Sequence, residues 1–285
     1  MNTELPTFGP AGCCEAFAAS GGKHTKDIFP WLKSYGLDAF EYQCGNGIRA
    51  GSKALSEIGA AARSAGIRMS LHAPYFISLS GTVLETRLKS LEYIKASLSA
   101  AELVGADIIV IHTGSAAKIT RAEARALASD TLCRAIEQFG ESGIKLGLET
   151  MGKKNQLGTP EEVLELCSIS PRLAPVFDLG HINARECGTA FSGKDDFRRL
   201  FNMIAEKLGD NAAKQLHCHF SQIEYTAAGE KKHLNFSDST EYGPDYRHFI
   251  EAVHSEGLTP RVICESAGHM SEDALTMKKY YMSLK

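Results

Sequence analysis

No stretch of this chain approaches the ~18 consecutive apolar residues that a membrane helix needs, so no membrane association is expected. The opening residues, Met1-Asn2-Thr3-Glu4-Leu5-Pro6, have no basic segment followed by an apolar core, and no secretory signal is read there. CxxC pairs are also missing. The cysteines Cys13, Cys14, Cys44, Cys133, Cys167, Cys187, Cys218 and Cys264 are scattered, and Cys133, Cys167, Cys218 and Cys264 fall in apolar segments. Such usage fits reduced, buried thiols in a cytoplasmic protein, and nothing resembles a thiol nucleophile with its base. Positive charge is not in excess. The net charge is -3, which argues against a nucleic-acid coat protein and leaves room for an enzyme with a local basic rim. There is no linker and no low-complexity run. The 285 residues, 44% apolar and 23% charged, read as one domain over 1–285 that is expected to act as a monomer.

What the chain does contain is alternation. Short apolar runs occur near 5–9, 38–43, 67–72, 107–112, 144–149, 174–178, 215–220 and 261–265, as expected of buried strands. Segments of helical period lie between them, at 27–35, 52–65, 86–104, 121–142, 195–208, 245–255 and 271–284. Gly36, Gly66, Gly105 and Gly143 follow four of them and suit left-handed helix caps. Thr159-Pro160-Glu161-Glu162 starts another, with a capping hydroxyl, proline in the first turn and acids behind it. This repeat predicts a single (β/α)8 TIM barrel with its site at the carboxyl ends of the strands. The irregular stretches 45–51, 151–158, 183–194 and 223–243 are expected to be loops on that face.

Six of the runs end on or beside an imidazole or carboxylate: His72, His112, Glu149, Asp178 with His181, His217-Cys218-His219, and Glu265. One such ending is commonplace. Six of them converge in a parallel barrel, and mixed imidazole and carboxylate donors suit zinc, manganese or iron. His217 is expected to pack or to support, facing away from His219. His24, His248, His254 and His269 read as surface residues.

Ser70-Leu71-His72-Ala73-Pro74-Tyr75, Ile111-His112-Thr113-Gly114-Ser115, Leu148-Glu149-Thr150, Phe177-Asp178-Leu179-Gly180-His181-Ile182-Asn183-Ala184 and Cys264-Glu265-Ser266, taken in order, resemble endonuclease IV. That family holds apurinic/apyrimidinic endonucleases among the xylose-isomerase-like barrels. The resemblance covers roughly residues 38–270. It implies a cluster of two or three zinc ions, with manganese as the alternative at one site. His72 and His112 would hold one, Glu149 would bridge to a second completed by Asp178, His219 and Glu265, and His181 and His233 would hold a third. Glu149 would be the catalytic carboxylate. The implied substrate is double-stranded DNA with an abasic site, cut 5′ to the lesion, with Tyr75, Arg49, Asn46 and Lys231 as contacts. Lys153, Lys154, Arg185, Lys231 and Lys232 are candidates for a basic rim.

The family typically has an aspartate two residues before its last histidine, where this chain has Lys231. A protonated lysine cannot ligate. The third site is therefore weak, or recruits Glu230 or Asp238, or uses the ammonium as a phosphate clamp, and an aspartate at 231 would be expected to raise its occupancy. The family also follows its strand-seven histidine with an Asn-Asp pair. Here His219 is followed by Phe220-Ser221-Gln222, so the support of that imidazole is altered. Two competing readings are a one-metal sugar isomerase or epimerase using only Glu149, Asp178, His219 and Glu265, and a non-catalytic metal-dependent binder.

Overall fold

The computed structural model describes residues 5–238 and 241–284. Most of the N-terminal segment read for a signal, and two residues of the 223–243 loop, lie outside them. The expected strands form in the expected places: β1 (Thr7–Pro10), β2 (Ala39–Gln43), β3 (Arg68–His72), β4 (Ala106–His112), β5 (Lys145–Glu149), β6 (Leu173–Asp178) and β7 (His217–Phe220). A hairpin of β8 (Gln222–Thr226) and β9 (Gly229–Leu234) follows, and β10 (Arg261–Cys264) is the eighth barrel strand. All barrel pairings are parallel, in the order β1-β10-β7-β6-β5-β4-β3-β2. A single bridge between Ala11 and Glu41 joins the two ends of that order, and the Phe8 amide donates to Asp38 Oδ1 at 2.6 Å beside it. The fold is an α/β TIM barrel.

Helices α1 (Glu15–Ala19), α2 (Ile28–Tyr35), α3 (Ser52–Ala65), α4 (Leu84–Val104), α5 (Arg121–Phe139), α6 (Pro160–Cys167), α7 (Leu179–Arg185), α8 (Lys194–Leu208), α9 (Asp210–Lys214), α10 (Tyr246–Ser255) and α11 (Met270–Ser283) surround it. Gly36, Gly66 and Gly105 adopt the left-handed cap. Gly143 does not cap, because α5 stops three residues sooner, against Gly140. Thr159 and Glu162 form a reciprocal capping box at α6, which satisfies two otherwise orphaned amides.

The main apolar core lies between strands and helices, where Phe8, Phe29, Phe40, Phe177, Phe197 and Phe249 are fully or almost fully buried. Inside the bore the apolar content is small. Ile108 and Val110 of β4 and Val176 of β6 make a separate cluster, and much of the remaining bore is polar. Cys167, Cys218 and Cys264 are buried and unpaired, but Cys133 is exposed on the outer side of α5, because the period of that helix turns it outward. Of the irregular stretches, 183–185 completes α7 and 222–234 is the β8–β9 hairpin rather than a loop.

Candidate metal centre

Strand register places the polar strand ends side by side. His112 pairs with Glu149, and Asp178 with His219. Side chains two apart on a strand share a face, so the residues just below them also point into the bore. That rule corrects the expectation for His217. It shares the face of His219, with the rings 5.4 Å apart, and both approach Glu41, a fully buried carboxylate from the middle of β2.

Glu149 sits at the centre. Its Oε2 lies 3.4 Å from His72 Nε2 and 3.3 Å from His112 Nε2. Its Oε1 lies 3.1 Å from His219 Nδ1 and 3.5 Å from His181 Nδ1, and His219 Nδ1 is 3.5 Å from Glu265 Oε1. Among the described residues, Glu149 Oε2 and Asp178 Oδ2 are buried with no hydrogen-bond partner. Ligands about 2.0–2.2 Å from a tetrahedral zinc are about 3.3–3.5 Å from one another, close to most of these spacings. Donor chemistry, spacing and orphaned carboxylate oxygens therefore all fit divalent cations.

Among the described residues, four groups of donors with atoms within 4.8 Å of one another could each hold an ion: His72, His112 and Glu149; Glu149, Asp178, His219 and Glu265; His181, Glu230 and His233; and, deeper in the bore, Glu41, His217 and His219. In the third, Glu230 is the acid that lies among the candidate donors, and Lys231 and Asp238 do not. Between β8 and β9 the register shifts, so that Glu224 faces Lys232 while Tyr225 faces Glu230. Lys231 is the extra residue of a bulge. The bulge turns Glu230 inward, its Oε2 3.5 Å from His181 Nε2 and its Oε1 3.9 Å from His233 Nε2. Lys231 points outward to an ion pair with Glu224, so it is neither a clamp over the cluster nor a contact at the mouth. Asp238 instead caps the Asn235 amide at 3.1 Å.

The second nitrogen of most of the imidazoles is already engaged. His72 Nδ1 meets the Ala73 carbonyl at 2.9 Å, His181 Nδ1 the Thr150 carbonyl at 3.0 Å, and His233 Nδ1 the Ser221 hydroxyl at 2.8 Å. Such contacts orient a ring and choose its tautomer. Asp178 has a double duty: its Oδ1 caps α7 by accepting from the His181 amide at 2.7 Å, which leaves Oδ2 for the bore.

The electrostatics have one direction. Burial alone would lower the pKa of His72, but the Glu149 carboxylate beside it lifts it to about 9. His181 is likewise lifted against burial to about 9, chiefly by Asp178 and Glu149. Burial pushes Glu149 upward, yet its imidazole neighbours hold it well below the usual carboxylate range. The cluster stabilises positive charge among its carboxylates, supplied by protons or by metal ions.

The mouth is a cavity of about 610 Å³ lined by Asn46, Arg49, Tyr75, His233 and Glu265, among others. Tyr75 is 58% exposed and stands over His72 and His112, at ring separations of 5.7 and 5.3 Å. Asn46, Arg49, Lys153 and Lys154 are exposed. Arg185 is not part of a rim. It is 6% exposed and donates to the carbonyls of Met151, Lys153, Lys154 and Gln156 at 2.7–3.3 Å, which fixes the loop after β5. His24 is exposed and His248, His254 and His269 are half-buried, outside all these donor groups.

The same barrel recurs in known proteins. The family profile described as "Xylose isomerase-like TIM barrel" matches residues 29–280. The chain belongs to that family. It is 29% identical over 220 residues to an uncharacterized protein of Methanocaldococcus jannaschii, spanning 76% of this chain and 78% of the relative. A probable endonuclease 4 of Staphylococcus carnosus is 24% identical over 260 residues, covering 75% of this chain and 81% of its own length. Among solved structures, endonuclease IV from Thermus thermophilus superposes with a TM-score of 0.73 at 15% identity, over 98% of this chain and 100% of that one. A D-tagatose 3-epimerase-like protein superposes with a TM-score of 0.70 at 21% identity, over 98% and 97% of the two chains. The structural matches establish the shared barrel.

Proposed function

We propose that this chain is a metal-dependent phosphodiesterase of the endonuclease IV type, cutting the DNA backbone 5′ to abasic sites in duplex DNA. The observation that carries this reading is the threefold donor set. An epimerase-type site needs one ion in Glu149, Asp178, His219 and Glu265. Here His72 and His112 add a second set through Glu149, and His181, Glu230 and His233 add a third. Ions bound there, zinc or with manganese at one position, would acidify water and neutralise the charge that accumulates on a phosphodiester in the transition state.

The chain's own residues set the geometry. Glu149 joins two donor sets, which keeps their centres close together. Tyr75 offers an exposed ring at the rim, with Arg49 and Asn46 on the facing loop, where a nucleic-acid backbone can rest. Lys153 and Lys154 extend the positive edge. Duplex DNA is the partner that such a mouth suits, in a protein acting in the cytoplasm as a monomer of one domain.

The test is purified protein of known metal content, incubated with a duplex carrying one abasic site, with and without a chelator. The reading expects two or three zinc equivalents per chain and chelator-sensitive cleavage that leaves a 3′ hydroxyl. One equivalent together with ketose epimerisation would replace it with the sugar-epimerase reading. Glu149→Gln should fold as the parent does and lose cleavage by roughly 10²-fold or more.

A further inference from the structure

The sequence around His219 lacks the acid-amide pair that follows the equivalent histidine in related nucleases, yet this imidazole lies deepest of the cluster, with no exposed surface. Its support comes from across the bore. His219 Nδ1 faces the carboxylates of Glu149 and Glu265, while its Nε2 lies 3.2 Å from Glu41 Oε2.

Glu41 is itself fully held. Ser70 Oγ, from its register partner on β3, donates to Oε2 at 2.9 Å. Gln43 Nε2 donates to Oε1 at 3.2 Å, and His217 Nε2 lies 3.0 Å from Oε2. With His219 this makes four donors, and an ionised carboxylate has about four lone-pair sites. Both oxygens are thus occupied by N–H and O–H groups. Glu41, His217 and His219 also lie close enough together to face one ion, but the Ser70 and Gln43 donors on the same carboxylate favour its use as a hydrogen-bond acceptor.

We propose that Glu41 is the positioning residue of the metal centre: by accepting from His219 Nε2 it fixes the tautomer and ring plane that turn the Nδ1 lone pair toward Glu149, Asp178 and Glu265. The arrangement is a carboxylate–histidine–metal triad. A carboxylate outside the proposed ligands backs this ring, whereas His72, His181 and His233 are backed by carbonyls or a hydroxyl. His217, Ser70 and Gln43 hold Glu41 in place in turn.

This inference rests on the metal reading above, and its test separates the two. Zinc affinity is measured by chelator competition for the parent and for Glu41→Gln, which keeps the volume and drops the charge. One zinc equivalent should weaken 10–100-fold while the others stay within about threefold, and the visible bands of the cobalt-substituted protein should shift for that equivalent only. Unchanged affinities, or an equal loss at every equivalent, overturn the role of Glu41 and leave the metal reading standing. A parent that takes up no zinc overturns the metal reading itself. Should Glu41→Gln not fold, the zinc-loaded parent decides by nitrogen NMR of its histidine rings. His219 protonated at Nε2 and coordinated through Nδ1 is expected, and the opposite tautomer refutes the proposal.

Discussion

Gly152 and Gly229 meet backbone to backbone. A Cβ on Gly229 would lie 2.2 Å from the Gly152 carbonyl oxygen, and the Glu230 amide donates to that same oxygen at 3.1 Å. A Cβ on Gly152 would lie 2.6 Å from Glu230 Cβ and 3.0 Å from His181 Cδ2. Two residues without side chains thus let the loop after β5 and the β8–β9 hairpin close over the third donor set. Gly152→Ala should push the Glu230 carboxylate away from His181 and remove about one metal equivalent, at a stability cost of about 1–3 kcal/mol. Full metal loading of that variant by elemental analysis would show that Glu230 is not needed there.

The bulge at Lys231 reverses what the sequence pattern suggests for that position. Because Lys231 faces outward to Glu224, Lys231→Asp should leave the metal count unchanged and loosen the hairpin through repulsion between two acids. Glu230→Gln should lower the count instead. Parallel metal analysis of the two variants checks both outcomes, and a gain of metal in Lys231→Asp would contradict the observed register.

Stability of the metal-free protein should pass through a maximum near pH 6.5. His72 and His181 have folded values raised to about 9, above the ordinary histidine value of about 6.5 expected when unfolded. Their contribution is complete below about 6.5 and is lost as pH rises toward 9. His217 is shifted the other way, to about 4, by burial that Glu41 only partly offsets. Its contribution is present above about 6.5 and is lost as pH falls toward 4. Zinc should abolish the alkaline decline, since the ions replace the protons on the ligating rings. Melting temperatures from pH 4 to 9, with and without zinc, test the sign of each limb.

Arg185→Ala should destabilise the protein by about 2–3 kcal/mol, because a buried guanidinium bonded to four carbonyls is removed, leaving a cavity and weakening a loop then held by Arg121 and by backbone hydrogen bonds. The loop after β5 should then become sensitive to protease under native conditions. If DNA affinity fell while stability and protease resistance held, Arg185 would belong to the binding surface after all.

The barrel and most of the candidate donors were legible because both are written in strand periodicity: an apolar run with a polar end predicts where a strand stops and what it presents. His72, His112, Glu149, Asp178, His181, His219, His233 and Glu265 all converge. What escaped were features that periodicity does not encode. Glu41 lies in mid-strand, and its signal is a charge between the aromatic residues Phe40 and Tyr42. The supporting role expected of His217 stands, but its facing was misjudged although the two-residue repeat already put it on the face of His219. The choice of Glu230 over Lys231 depends on a one-residue slip in a polar hairpin, where no buried face enforces register. Arg185 looked like a rim charge because its four carbonyl acceptors come from a loop about 30 residues away in sequence, a contact set by tertiary packing.

The wall of the cylinder is most thinly bonded where its first two strands meet, through the Ala11–Glu41 bridge and the hydrogen bonds between Phe8 and Asp38. That flank is tied to the opposite wall through Glu41, which touches β3 and β7 as well as its own strand. On the proposed reading, one side chain would serve both as a cross-brace and as the support beneath an ion. Widening of the seam would tilt His219 and release its cargo, and emptying the centre would slacken the seam, so amide exchange along 39–43 should accelerate whenever the protein is stripped of metal.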